Sequence, residues 1–423
     1  MPSTLRAAAV AAFAGLALTA CSQTGSNVAG GSSLPGTQST ATRQIASSSE
    51  SAHELPGAEI YEGSVAYHRV CGDVDLPGLA RCFVLMRDDA GAHGTKPDGT
   101  PIGLNPSDLQ SAYNLDVTGG TGQTVAIVDA YDNPNLESDL QVYRAQWGLP
   151  TCSSSNNCFQ KVSQTGGTNY PQGNTGWGLE ESLDVDMVSA NCPNCNILVV
   201  EADSNSDKDL GASVKEASKL GALIISNSYG GGEYKTEDSS KSDYNVPAVV
   251  TASAGDSGYG VEFPAASSYV TAVGGTTLDR DSKGKRGWIE TVWEGSGSGC
   301  SLYATKPTWQ KDKGCKNRTV ADVAYVASPG SSVAIYDTYG GNGWTQVGGT
   351  SVGSPSIAAI YALAGNASTL EGTGASYGYA HTKDLYDVTG GSNGTCKPKY
   401  LCNGEVGYDG PTGNGTPDGT GAF

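Results

Sequence analysis

At 423 residues with 38% hydrophobic content, the chain can bury a full core and still carry accessory segments. A formal charge of -18 and a pI near 4.5 argue against a nucleic-acid partner, because phosphate binding needs a basic surface. With only 25 lysines and arginines, protonating the carboxylates leaves little positive self-repulsion, so the composition suits acid.

Residues 1–21 read as an export signal: Arg6 supplies positive charge, residues 7–20 form a short apolar core, and Leu18-Thr19-Ala20-Cys21 ends it. That ending resembles a lipobox, in which Cys21 is acylated and anchors the protein to a membrane; ordinary signal-peptidase cleavage is the alternative. Both readings place the protein outside the cell or on its surface. No other run could span a bilayer. Residues 22–52, rich in Ser, Thr, Gly and Gln, bury too little to fold and are expected to be a flexible linker. Between 53 and 100 the chain regains Tyr61, Tyr67, Leu79, Phe83, Val84 and Met86, which suggests a short propeptide-like segment; its polar end, residues 88–101, is the expected processing region.

Cys21 aside, ten cysteines fall into five close couples: Cys71 with Cys82, Cys152 with Cys158, Cys192 with Cys195, Cys300 with Cys315, and Cys396 with Cys402. In an exported protein these read as short-range disulfides. The Cys192-Pro193-Asn194-Cys195 motif also admits zinc or redox chemistry, but no second pair or nearby histidines accompany it.

The main domain, residues 101–423, alternates buried strands with helices. Thr124-Val125-Ala126-Ile127-Val128-Asp129 fits a central parallel strand ending in a carboxylate. Asn133 and Pro134 read as a cap and first turn for a helix carrying Leu136, Leu140, Tyr143 and Trp147, stopped by Gly148. Further strands are expected at 197–200, 222–226 and 248–253, with a helix marked by Leu210, Val214 and Ala217. Leu179, Leu183, Met187 and Ala190 form one apolar stripe, so a helix there is expected to dock on the sheet. The pattern predicts a doubly wound, mostly parallel α/β sheet with helices on both faces.

Three features carry candidate chemistry. Ser351 follows a glycine-rich turn and precedes an apolar helical run from 356 to 364, an exposed position in the positive field of a helix N-terminus. Glu180 and Asp184 lie four apart on one flank, where they repel unless a shared proton joins them. Asp256 stands just past the carboxyl end of a strand, where open α/β sheets place their sites. Each also has an ordinary reading, as turn residues or a solvated acidic face.

Together, Glu180-x-x-Leu183-Asp184, Ser226-Asn227-Ser228-Tyr229-Gly230, Ser253-Ala254-Gly255-Asp256-Ser257-Gly258, Phe263-Pro264-Ala265, Val273-Gly274-Gly275-Thr276 and Gly348-Gly349-Thr350-Ser351 resemble the sedolisin family. These are serine-carboxyl peptidases with a subtilisin-like fold. The resemblance runs in family order from about residue 109 to the C-terminus. It implies an acid-acting endopeptidase with Ser351 as nucleophile, Glu180 as general base, Asp184 as its partner and Asp256 as the oxyanion-hole side chain. It further implies a supporting role for Asp129, substrate binding around Ser226, Ser228 and Gly230, protein or peptide substrates, and a monomer. A glutamate base titrating near pH ~4.3 is ionised in mild acid, where a histidine is protonated. Asp256 can donate to an oxyanion only while protonated. Glu181, three residues from Asp184, is a rival base on geometry, and the Glu-x-x-Leu-Asp spacing selects Glu180.

Near the C-terminus, Leu385-Tyr386-Asp387-Val388-Thr389-Gly390 and Gly407-Tyr408-Asp409-Gly410 resemble the family's calcium site. The implied Ca²⁺ ligands are the side chains of Asp387 and Asp409 and the carbonyls of Val388, Glu405 and Gly407, a hard oxygen set. Glu405 stands where relatives usually carry glycine, and a cysteine loop from 396 to 402 is inserted. Two alternatives remain: a catalytically silent surface lipoprotein, and a true subtilisin using His93. The latter is disfavoured because His93 precedes Asp129, whereas subtilisins run aspartate, histidine, serine.

Overall fold

The computed structural model describes residues 59–423 apart from 75, 90–93, 236, 238–241 and 371–373. The export signal with Cys21, the linker at 22–52, His53 and His93 lie outside the described residues.

Four short strands come first: β1 (Ile60–Glu62), β2 (Val65–Arg69), β3 (Arg81–Cys82) and β4 (Leu85–Arg87). After helix α1 (Pro106–Ala112), apolar runs build the main sheet from β5 (Thr124–Ala130), β6 (Phe159–Ser163), β7 (Asn196–Ala202) and β8 (Ile224–Asn227). A short β9 (Tyr229–Gly232) follows, then β10 (Val249–Ser253), β11 (Glu262–Phe263), β12 (Thr271–Arg280) and β13 (Trp288–Val292). The main sheet runs β13-β12-β10-β8-β5-β7-β6 and is parallel except between β12 and β13. Its central strands are apolar at nearly every position because helices cover both faces.

Beyond the small ladder of β14 (Gly299–Cys300) and β15 (Thr319–Val320), β16 (Val323–Val326) runs parallel to β12. Strands β17 (Val333–Asp337) and β18 (Gly343–Gly348) form a hairpin. This hairpin ties the front of the chain to the later strands: β4 pairs with β18, joining Leu85 to Gly348 and Met86 to Val347, while β3 pairs with β9. Near the C-terminus, β19 (Leu385–Tyr386) pairs with β20 (Thr416–Pro417).

Four further helices flank the main sheet: α2 (Leu136–Gln146), α3 (Thr175–Asn191), α4 (Asp207–Lys219) and α5 (Gly353–Ala364). Two expectations need correction. Asn133 does not cap α2, which starts three residues later; its amide donates to the Gly178 carbonyl and the Ser182 hydroxyl, tying α2 to α3. Nor is α3 amphipathic, for every residue from Gly176 to Asn191 is buried among the sheet, α2, α5 and β17, its acidic side chains included. The five expected disulfides all form, with Cys192 joined to Cys195.

Candidate active site

The turn before α5 sets the position of Ser351. Gly349 has φ +100, a backbone that side chains rarely adopt, and the turn Thr350–Val352 then feeds the helix. Ser351 is fully buried rather than open to solvent, because residues 83–84 lie across it. Its hydroxyl donates to the Ser228 carbonyl at 3.3 Å.

Helix α3 starts from Asn174, whose side chain accepts from the amides of Gly176 and Trp177, and carries Glu180 to the cleft. Burial and the neighbouring Asp184 charge push Glu180 well above the usual carboxylate range, while the Ser351 hydroxyl and the Val84 amide pull it down. The Val84 N–H donates to Glu180 Oε2 at 2.7 Å, and Glu180 Oε1 accepts no hydrogen bond. Asp184 accepts from the Ser228 hydroxyl on both oxygens, at 2.8 and 2.9 Å. Burial, then the Asp129 charge, holds Asp184 well above its ordinary value.

Asp129, next to last in β5, is fully buried with neither oxygen hydrogen-bonded. Burial, Glu180 and Glu201 raise it well above the normal range. Asp256 lies just past β10, where Oδ1 accepts from the Thr350 amide at 2.8 Å and its hydroxyl at 2.7 Å. Oδ2 is buried without a partner, and burial pushes the group up to about 7 against the Thr350 bonds and Arg81.

Ser351, Glu180, Asp184, Asp256, Ser228 and Gly230 therefore meet in one region. Ser226 does not belong to its wall, since its hydroxyl pairs with Ser354 at the root of α5, 2.9 Å away. Glu181 also leaves the group: its interactions are with Glu201, Asp129 and Lys161. Lys161 bridges Glu201 at 2.8 Å and also Asp132. Glu201, pushed up to about 8 chiefly by burial, was missed in the sequence. It was legible in principle, because it stands next to last in β7 as Asp129 does in β5, and the two are in register. The contribution of residues 83–84 carried no sequence signal. His68 pairs with Asp88 and His381 with the Tyr377 carbonyl, so neither takes a base's place beside Ser351.

At the C-terminal loop, Asp387 accepts from the Gly407 amide and Asp409 from the amides of Glu405 and Thr412. The Val388 carbonyl crowds the same loop, 2.9 Å from where a Cβ on Gly404 would stand. Two carboxylates close enough for the Asp387 charge to act on Asp409, gathered at one loop, fit a hard cation. Among the described residues no group of three acidic, histidine or cysteine side chains could hold a metal, so a cation at this loop would draw its remaining ligands from backbone oxygens.

A mostly parallel sheet with a serine turn leading into α5 and carboxylates at the strand ends defines a subtilisin-like α/β protein. The subtilase family model, Peptidase S8, matches residues 164–377. Kumamolisin of Bacillus sp. strain MN-32 is 30% identical over 366 residues, covering 75% of this chain and 63% of that protein. Sedolisin of Pseudomonas sp. strain 101 is 28% identical over 397 residues, covering 81% and 65%. The solved Pseudomonas sedolisin, a serine-carboxyl proteinase complexed with pseudo-iodotyrostatin, superimposes with a TM-score of 0.63 at 26% identity, over 76% of this chain and 96% of that one. The chain belongs to the subtilase family and is similar to these sedolisin-type serine-carboxyl proteinases. It spans just under two thirds of the length of these curated relatives.

Proposed function

We propose that the chain is an exported, acid-acting serine-carboxyl endopeptidase that hydrolyses protein substrates through an acyl-enzyme on Ser351. The observation that carries this reading is the burial of Glu180 beside the Ser351 hydroxyl with Asp184 behind it, in a site with no histidine among the described residues. Ser351 attacks the substrate carbonyl and passes its proton to Glu180, which gives it to the departing amine; water then reverses the roles. Asp184, held by Ser228, shares negative charge with Glu180, so the pair titrates as a unit and Asp129 extends it. Asp256 is protonated below about pH 7, and its unpartnered Oδ2 is free to donate to the oxyanion. As pH rises through that value the donor is lost. The test is digestion of denatured casein between pH 3 and 8; an optimum at or above neutral pH would reject the mechanism.

Asp387, Asp409 and the carbonyls of Val388, Glu405 and Gly407 would hold one structural Ca²⁺, whose positive charge offsets two facing carboxylates. Chelation by EDTA is expected to lower the melting temperature by several degrees, with calcium restoring it and magnesium not; an unchanged melting curve argues against the site. The five disulfides fit an oxidising compartment. Anchorage through a lipidated Cys21 completes the reading: Cys21→Ala is expected to move the protein from the membrane pellet to the soluble fraction.

A further inference from the structure

The front of the chain passes through the proposed active site as a substrate would. β3 lies antiparallel to β9, with Arg81 opposite Gly230 and Cys82 opposite Tyr229. The next amide, that of Phe83, donates to the Ser228 carbonyl at 3.2 Å, the same carbonyl that accepts from Ser351. On its other side this stretch is pinned by the loop before α4, where the Ala80 amide donates to the Asn205 carbonyl and the Asn205 side chain donates back to the Ala80 carbonyl.

The Phe83 carbonyl oxygen sits against Gly349, 1.9 Å from where a Cβ would stand, and Asp256 Oδ2 is 2.7 Å from that point. The unpartnered carboxyl oxygen thus flanks the carbonyl. The following amide nitrogen, that of Val84, faces Glu180 Oε2 at 2.7 Å. One peptide bond therefore has its carbonyl beside the proposed oxyanion donor and its nitrogen on the proposed base.

We propose that Phe83–Val84 is the chain's own cleavage site, cut by Ser351, and that the cleft beneath it selects an aromatic side chain at this position. The inference rests on the peptidase reading above. Phe83 is fully buried yet joins neither apolar core cluster; its ring lies against Gly230, where a Cβ would meet it at 2.8 Å, with the Arg81 guanidinium 4.8 Å above. A ring buried in a slot of its own is how a specificity pocket is filled. The Ser351 oxygen bonds to the Phe83 carbonyl carbon and the Ser351 proton passes to Glu180. The carbon–nitrogen bond to Val84 then breaks as Glu180 protonates that nitrogen. Water hydrolyses the ester, leaving a carboxylate on Phe83 and a free amine on Val84.

Both new ends remain held. Residues on the Phe83 side keep their pairing to β9, and the Cys71–Cys82 bridge fixes that strand to the end of β2. On the Val84 side, β4 stays paired to β18, and Leu85 packs with Tyr67, Trp293 and Ala327. The nicked N-terminal piece thus continues to cover the cleft until it dissociates. This places processing at 83–84 rather than within residues 88–101.

The full chain, incubated at pH 4, is expected to show a new N-terminus of Val84-Leu85-Met86-Arg87 by sequencing and intact mass, at a rate independent of protein concentration. Ser351→Ala and Val84→Pro should remain whole at this bond. In a peptide carrying residues 79–87 with serine for Cys82, replacing Phe83 with alanine should lower kcat/KM on the order of 100-fold. Casein digestion with the 83–84 bond intact, or cleavage only within 88–101, overturns the inference and leaves the peptidase reading standing. Equal hydrolysis of the two peptides overturns the pocket assignment. Absence of both casein digestion and self-cleavage overturns the two readings together.

Discussion

Ser351→Ala is expected to lower casein hydrolysis at pH 4 by roughly 10⁴-fold or more, since the variant lacks the hydroxyl on which the acyl intermediate forms. Glu180→Gln should cost a comparable factor. The glutamine cannot take the serine proton, while its amide oxygen can still accept from the Val84 N–H. Because the two residues act as one unit, the double variant should be no slower than the worse single variant. Asp256→Asn is expected to cost less, on the order of 10²-fold, because the amide can still donate a hydrogen bond. Its activity should extend to higher pH than that of the parent, since an asparagine has no proton to lose near pH 7. Undiminished digestion by Ser351→Ala would remove the nucleophile from the scheme, and a Glu181→Gln variant as slow as Glu180→Gln would redirect the base.

The second large effect is on stability, and its direction is opposite to that of most proteins. Burial raises Asp256 to about 7 and Glu201 to about 8, and holds Glu180, Glu181, Asp184, Asp129 and Asp186 well above the usual range. Opposing cations are few: Lys161 faces Glu181 and Glu201, Arg81 faces Asp256, and Arg144 faces Asp186. In the unfolded chain these carboxyls lose their protons near pH ~4, whereas in the folded protein Glu180 and Asp184 share one proton and one negative charge and the other buried carboxyls keep their protons to higher pH. Between those values the native state binds more protons, so stability is greatest in acid and falls as pH rises through the folded values. At about 1.4 kcal/mol per pKa unit, Asp256 alone accounts for on the order of 4 kcal/mol across this window. The melting temperature is expected to drop by on the order of 10 °C from pH 4 to pH 8, and Asp256→Asn should shrink that drop. A melting temperature that is flat or rises over this range would show that the buried acids are ionised and paired.

These two effects share a cause that local sequence patterns only partly convey. The strand ending in Asp129, the helix with Glu180 and Asp184, and the glycine turn before Ser351 were all legible, because hydrophobic period and turn chemistry act over a few residues. The acidic face of α3 read locally as a solvated flank, and only packing against α2, α5 and β17 buries it. Ser226 matched a binding motif, yet the sheet directs its hydroxyl to Ser354. Glu201 needed the register of β5 with β7 to join Asp129.

By itself the sequence conveyed the strand and helix grammar, the five disulfide couples and the motifs that hold the candidate side chains, since each depends on neighbours close along the chain. Only the tertiary structure decided which carboxylates lose their water, that Glu181 turns toward Glu201 and Lys161, and that Phe83 and Val84 lie against Gly349 and Glu180. Desolvation and strand pairing depend on segments more than a hundred residues apart, as when the Phe83 amide meets the Ser228 carbonyl, and nothing in a local window records such a meeting.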